Sequence, residues 1–292
     1  MDKIFKTAFT LIELLVVIAI IGILSGLIVV TMNGVTQKAN IAKAQVFSNS
    51  LRNALMLNLI SEWRLEGNAN DSWSGGNDGV WYGSSAGANT SANYRPSSEC
   101  VSGQCLNFDG TDDFINCGTK TSLDIVDEFT LSAWIRASVL KSERILYHYG
   151  PVANRGYYLS VNDSGIMHGA VWGTSLRTIA GSKKITDGSW HHTVITRNNS
   201  GVVSLYVDAS LDATPISGAG GTLVNEENLY IGQDYAGGAR LNGTIDEVRI
   251  YDAAVPSSQI KEQYYSGLNN LLSSGNISNA EYQSRLSTIS KK

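Results

Sequence analysis

The sequence predicts an α+β chain: one long N-terminal helix, an all-β antiparallel sandwich, and a short C-terminal helical hairpin. Three observations lead to this fold class. Residues 14–37 contain no charged side chain. From Leu59 onward, short runs of alternating apolar and polar residues are separated by Gly, Asn and Asp turn signals every 8 to 15 residues or so. After Tyr251 the period changes again, to helical spacing.

The first element begins with an apolar run at residues 9–30, which is 22 residues long. As an α-helix it would span about 33 Å, enough to cross a bilayer. Lys3 and Lys6 precede it and no basic residue follows until Lys38, so the charge bias retains residues 1–8 in the cytoplasm and exports the rest. The small residue Ala8 stands before the apolar run, not behind it as in a secretory signal. A cut there leaves the apolar helix in place. Glu13 lies inside the run, where an unpaired carboxylate costs roughly 2 to 4 kcal/mol, so it needs a partner. Beyond the span, Ala44, Phe47, Leu51, Ala54 and Leu55 form an apolar stripe opposite Lys38, Lys43 and Arg52, which continues the helix as an amphipathic one.

At Leu59 the period becomes two. "FTLSAWIRA" sends Phe129, Leu131, Ala133 and Ile135 to one face, and "GYYLSVND", "SWHHTVITR", "VVSLYVDA", "NLYIGQD" and "GTIDEVRIYDAAV" follow as further strands. "CLNF" and "FINC" flank the turn "DGTDD" and read as paired strands. After Pro256, "SSQIKEQYYSG" reads as a helix ending at Gly267. The remainder forms a hairpin broken at Gly275, with Ser278 and Glu281 as a capping box.

Two resemblances add to this reading. "KTA" followed by "FTLIELLVVIAIIGIL" resembles the leader and N-terminal helix of type IV pilins and pseudopilins. This implies cleavage between Ala8 and Phe9 by a prepilin peptidase, N-methylation of Phe9, and assembly with like or other pilin subunits through the helix. The new Phe9 amine of one subunit then pairs with Glu13 of its neighbour. Two departures are Ala8 where Gly is usual and Val30 where many pilins have Pro. The body carries, in order, "SEWRLEG", "LNFDGTDDFI", "FTLSAWIRA", "DGSWHHTVITR", "VSLYVD", "LYIGQ" and "NGTIDEVRIY". It resembles the laminin-G-like, concanavalin A-like jelly rolls, which implies two antiparallel sheets, one of them concave, used mostly to bind glycans or proteins. At the hairpin after Val207 this chain has Asp208 and Ala209 where many members have Asn-Gly or Asp-Gly. The expected organisation is a leader at 1–8, a pilin helix at 9–57 with 9–30 transmembrane, a jelly-roll domain at 58–254 and C-terminal helices at 255–292.

No enzyme is expected. A glycoside hydrolase needs two carboxylates about 5 to 9 Å apart, and no Glu-x-Asp-x-Glu strand occurs. Adjacent pairs such as Asp246-Glu247, or His191-His192, point to opposite faces of a strand. The formal charge of −4 and the absence of a basic block exclude a nucleic acid partner. No cofactor is required. Structural Ca²⁺ is the candidate metal, with oxygen donors Asp71, Asn77 and Asp78 in "NDSWSGGNDG", Asp246 from the last strand, and Asp109 with Asp112 and Asp113 in "DGTDD". The same residue types also make turns. Cys100, Cys105 and Cys117 imply one disulfide and one thiol. Cys100–Cys105 is the favoured pair, and Cys105–Cys117 is the alternative across "DGTDD".

The chain is therefore expected to be an inner-membrane protein with its C-terminal domain outside, later part of an extracellular filament, whose head binds glycan or protein. Pseudopilins share the N-terminal features, and electron microscopy of surface filaments separates the two. A membrane-tethered glycan-processing enzyme is the third reading, excluded if polysaccharides release no product.

Overall fold

The computed structural model describes residues 11, 14–21, 57–73, 76–83, 93–150 and 154–290. The chain divides into two compact units, residues 1–54 and 55–292. In the first, residues 14–21 are helical, and Leu14, Leu15 and Ile18 are more than half exposed. Among the described residues no helix is long and apolar enough to cross a membrane. The leader, Ala8, Phe9, Glu13, Val30 and the stripe from Ala44 to Leu55 lie outside the described residues.

The second unit is an antiparallel sandwich. Its strands are β1 (Leu59–Trp63), β2 (Val80–Tyr82), β3 (Tyr94–Arg95), β4 (Cys105–Asp109), β5 (Phe114–Asn116), β6 (Phe129–Ala137), β7 (Glu143–Gly150) and β8 (Arg155–Val161). They continue as β9 (Ile166–Trp172), β10 (Leu176–Lys184), β11 (Trp190–Arg197), β12 (Val203–Val207), β13 (Ser210–Leu211), β14 (Tyr230–Ile231) and β15 (Asn242–Tyr251). Two helices follow, α1 (Ser257–Ser273) and α2 (Asn279–Ser290). One sheet has eight strands in the order β13-β12-β11-β6-β15-β4-β3, with β1 also on β15; the other has seven, in the order β10-β9-β8-β7-β14-β5-β2.

Phe129, Leu131, Ala133 and Ile135 of β6 point between the sheets and join Trp63, Phe108, Ile115, Tyr157, Leu159 and Ile245 in the main core. Such a core is what an alternating strand pattern builds when two sheets pack face to face. β6 is buried on its other face as well, because α1 and α2 close the outside of the eight-stranded sheet. There Trp134, Trp190 and the Cys100–Cys105 pair pack with Tyr264, Leu268, Leu271 and Ile289. Trp134 and Tyr264 stack with ring centroids 5.5 Å apart.

The structure departs from two local expectations. Gly267 does not end a helix: α1 runs through it to Ser273 and stops before Gly275, whose φ is 78°. Gly267 is instead where the helix approaches the sheet most closely, since a Cβ there would lie 2.3 Å from Cζ2 of Trp134. β4 and β5 are not a hairpin. β4 pairs with β3 and β15, and β5 with β2 and β14, so the "DGTDD" turn carries the chain from one sheet to the other. Cys105 and Cys117 therefore belong to different layers. The disulfide joins Cys100 and Cys105, with Cα atoms 5.5 Å apart, and Cys117 is a buried thiol pushed well up by burial.

Asp208 and Ala209 do form a two-residue hairpin between β12 and β13, at φ 49° and 62°. This left-handed conformation normally selects Asn-Gly. Here the Asp208 carboxylate accepts from His191 Nδ1 at 2.7 Å and from the His192 amide at 3.0 Å, which holds the turn without glycine.

Candidate binding face

The two outer faces of the sandwich differ. Helices close the eight-stranded one, whereas among the described residues no helix packs on the seven-stranded one, and several of its outward side chains are aromatic. Leu146 and His148 of β7, Tyr157 and Leu159 of β8, and Val171 of β9 are turned inward and buried. The alternate positions form rows across the strands. Tyr147, Tyr158 and Ala170 are register partners, and Tyr230 flanks Tyr147 from β14. Tyr147 and Tyr158 stack with centroids 5.7 Å apart, and Tyr235 also stacks on Tyr147.

The adjacent row is Tyr149, Gly156 and Trp172. Gly156 has φ 133°, and a Cβ on it would meet the His148 carbonyl oxygen at 2.1 Å. Without a side chain between them, Tyr149 and Trp172 stack directly, at 5.2 Å and 17°. On the opposite side the row is Arg144, Ser160 and His168. The Arg144 guanidinium lies 4.8 Å from the Tyr158 ring centroid and 5.8 Å from that of Tyr147. A second aromatic group, Tyr82 stacked on Phe114 at 4.7 Å under Arg240, extends the surface over β2 and β5.

Burial, and then the neighbouring Asp234, push the Tyr147 phenol up; burial does the same at Tyr158. Both remain neutral hydroxyls at physiological pH. Rigid aromatic faces edged by a few polar groups can hold the apolar side of a flat ligand while orienting its hydroxyls. The sequence expectation of a binding head named none of these residues. The available signal was "RILYHYG", with its alternating tyrosines, set against Tyr158 and Trp172 in the next two strands.

The carboxylates named for calcium fall into separate places. Asp71 accepts from the amides of Glu62, Trp73 and Asn77, and Asp78 accepts from the amide of Asp71. Asn77 bonds Ser61 and Ser122 through its side chain. Asp246 points to the disulfide loop, where its Oδ2 accepts from the amides of Val101 and Ser102, both at 2.9 Å. Asp109, Asp112 and Asp113 do come together, each offering an oxygen within 4.8 Å of the others. Oδ1 of Asp112 is buried without a hydrogen-bond partner. Burial, followed by repulsion from Asp109 and Asp112, raises Asp113 to about 6. Hard oxygen donors that repel one another and include an orphaned acceptor fit Ca²⁺.

His191 is held between Asp187 and Asp208. His192 points the other way, toward Trp134 and Tyr264, and neither of its ring nitrogens has a partner. Burial lowers His192 to about 3 and His148 to about 4. Both are depressed below the unfolded value, so the stability tied to their neutral forms is complete above about pH 6.5 and is lost as pH falls. Glu143, raised to about 7 by burial, acts in the opposite direction. The difference between two proteins is therefore the informative readout. His192→Leu is expected to flatten the acid limb between pH 6.5 and 4.5 by about 1.4 kcal/mol per pH unit relative to the parent. Urea melts across that range check it, and parallel acid limbs count against it.

The two packed antiparallel sheets define a lectin-like jelly-roll domain. The family model of the concanavalin A-like lectin/glucanases superfamily matches residues 109–261, just over half of the chain, and the chain belongs to that family. The prokaryotic N-terminal methylation motif matches residues 6–29 and marks the chain as a pilin-like, membrane-anchored precursor. C-reactive protein 1.4 of Limulus polyphemus is 26% identical over 151 residues, 48% of this chain and 62% of the relative.

Among solved structures, the binding domain of Paraclostridial Mosquitocidal Protein 1 superposes with a TM-score of 0.57 at 17% identity, covering 74% of this chain and 53% of that one. Domain 4 of an extracellular GH43 arabinanase from Geobacillus stearothermophilus, in complex with arabinotriose, gives 0.52 at 18% identity over 70% of this chain and 97% of that one. The botulinum neurotoxin serotype D ligand binding domain with N-acetylneuraminic acid gives 0.54 at 14% identity, over 75% and 53%. The chain thus spans less than two thirds of the curated relative and about half of two of these structures. At these identities the structural likeness is one of fold. Two of these structures are binding domains, one is a domain of an arabinanase, and the curated relative is a C-reactive protein.

Proposed function

We propose that this chain is a type IV pilin-like subunit whose jelly-roll head binds surface glycan through the aromatic face of the seven-stranded sheet. The observation that carries the reading is the asymmetry of the sandwich: one outer face is closed by α1 and α2, and the other presents stacked Tyr149 and Trp172 beside Tyr158, which is backed by the buried Tyr147. The structural relatives support the ligand class, since one holds arabinotriose and another N-acetylneuraminic acid. In this reading residues 1–8 are removed at Ala8, residues 9–57 form the assembly helix with 9–30 in the inner membrane before export, residues 58–254 are the head, and residues 255–292 close its back. Glu13 pairs with the methylated Phe9 amine of the next subunit, which relieves a charge the isolated helix leaves unsatisfied. Ca²⁺, when bound, is held by Asp109, Asp112 and Asp113 and fixes the turn that links the two sheets.

A glycan array probed with the full-length protein in detergent, with and without calcium, tests the reading. Binding to a defined set of oligosaccharides is expected, retained in part after chelation because the "DGTDD" turn lies apart from the Tyr149–Trp172 pair. An array blank under both conditions contradicts a glycan-binding head.

A further inference from the structure

We propose that the aromatic face selects carboxylated sugars, with Arg144 as the residue that recognises the carboxylate; this rests on the glycan-binding reading above. The local backbone carries the first part of the argument. β7 contains a bulge between Arg144 and Leu146, so Arg144 pairs with Ser160, Leu146 with Leu159 and Tyr147 with Tyr158. Simple alternation would send residues 144 and 147 to opposite faces. The extra residue puts both on the outer one, with the guanidinium beside the tyrosine pair.

The second part concerns what Arg144 lacks. Its guanidinium lies over the Tyr158 and Tyr147 rings, its Nε is buried with no hydrogen-bond partner, and among the described residues no carboxylate pairs with it. The other guanidinium of this face, Arg240, is already engaged, donating from Nε to the Gly237 carbonyl and from Nη1 to the Asp112 carbonyl. Asp234 is the acid nearest Tyr147, and its Oδ1 accepts from the amides of Ala236 and Gly238 in its own loop.

A planar guanidinium with unused donors, immobilised by stacking, matches a carboxylate in two-point geometry. The half-buried Tyr158 beside it offers the stacking surface for the ring that carries that carboxylate, and the buried Tyr147 supports Tyr158 from within the row. His168 completes the row as a neutral group for a ring hydroxyl, whereas Ser160 is buried and its Oγ donates to the His168 carbonyl. Burial, and then the Arg144 charge, lower His168, so it is an uncharged imidazole at neutral pH. The chain as a whole is net negative at −4, so affinity for an acidic sugar has to come from this local feature and not from bulk charge.

Binding of the full-length protein in detergent is measured for two matched pairs: 3′-sialyllactose against lactose, and trigalacturonate against its methyl ester. The pairs separate sialate from uronate as the source of the carboxylate. The parent is expected to prefer at least one acid over its neutral partner by tenfold or more. Arg144→Gln should bring that ratio near one while leaving the weaker, neutral binding in place. Arg144→Lys, which keeps the charge without the planar fork, should give an intermediate ratio. Thermal melts confirm that each variant is folded. A parent that shows no acid preference, or an acid preference unchanged in Arg144→Gln, overturns the inference while neutral binding still upholds the glycan reading. No binding to any of the four saccharides overturns the inference, and the glycan reading is then decided by the array alone.

Discussion

Arg249→Met is expected to cost the head about 3 kcal/mol, the lower end of what removing one partner from a buried ion pair costs. Arg249 stands between two acids. Its Nε donates to Glu62 at 2.7 Å, and its Nη2 pairs with Glu247. Glu62 is 6% exposed through its side chain and Arg249 is 19% exposed. Burial alone would push the Glu62 carboxyl up, but Arg249 and then Arg64 hold it below its ordinary value. The methionine fills the aliphatic volume and leaves Glu62 with only the more exposed Arg64. For a domain of this size the loss corresponds to a fall in Tm of roughly 6 to 12 °C.

The sign with pH follows. In the parent the Glu62 carboxyl is depressed, so its contribution is present above the unfolded carboxylate pKa and is lost in acid. In the variant the carboxyl is raised, and its penalty fades as pH falls below that raised value. The gap between the two proteins should therefore narrow from pH 7 toward pH 4. Melts that differ by under 1 kcal/mol at pH 7, or by the same amount at both pH values, contradict this role for Arg249.

Trp172→Ala is expected to weaken oligosaccharide binding at least tenfold, about 1.4 kcal/mol, with little change in Tm. The indole is only half-buried and stacks on Tyr149 across Gly156, so its removal deletes half of a platform and leaves the core intact. Surface substitutions of this kind stay within about 0.5 kcal/mol of the parent in stability, whereas a central aromatic in a binding face carries a large share of the affinity. Trp134→Ala makes the contrast. That indole is 2% exposed on the closed face against Gly267 and Tyr264, so its loss should lower Tm and leave saccharide affinity in the surviving folded protein near that of the parent.

The sequence carried the inner faces of the strands plainly, because Phe129, Leu131, Ala133 and Ile135 alternate without interruption and β6 has no bulge. The C-terminal hairpin was legible as helical, but Gly267 read as a stop. Its real role, admitting Trp134, depends on a partner more than 130 residues away in the chain. The "DGTDD" turn looked like a hairpin because local chemistry specifies a turn and not which sheet the next strand joins. The binding face was the least legible part. Arg144 and Tyr147 share it only through the bulge in β7, and Tyr149 reaches Trp172 only because Gly156 leaves room between them. Both are register facts that single-strand periodicity does not encode.

Footprinting of tyrosine and tryptophan side chains on the full-length protein, with and without a saturating bound oligosaccharide, tests the central claim most directly. The account predicts protection of Tyr149, Tyr158 and Trp172 on binding, with Tyr264, Tyr265 and Tyr282 of the C-terminal helices unchanged. Protection confined to the helical side, with Trp172 as reactive as in the free protein, would contradict it.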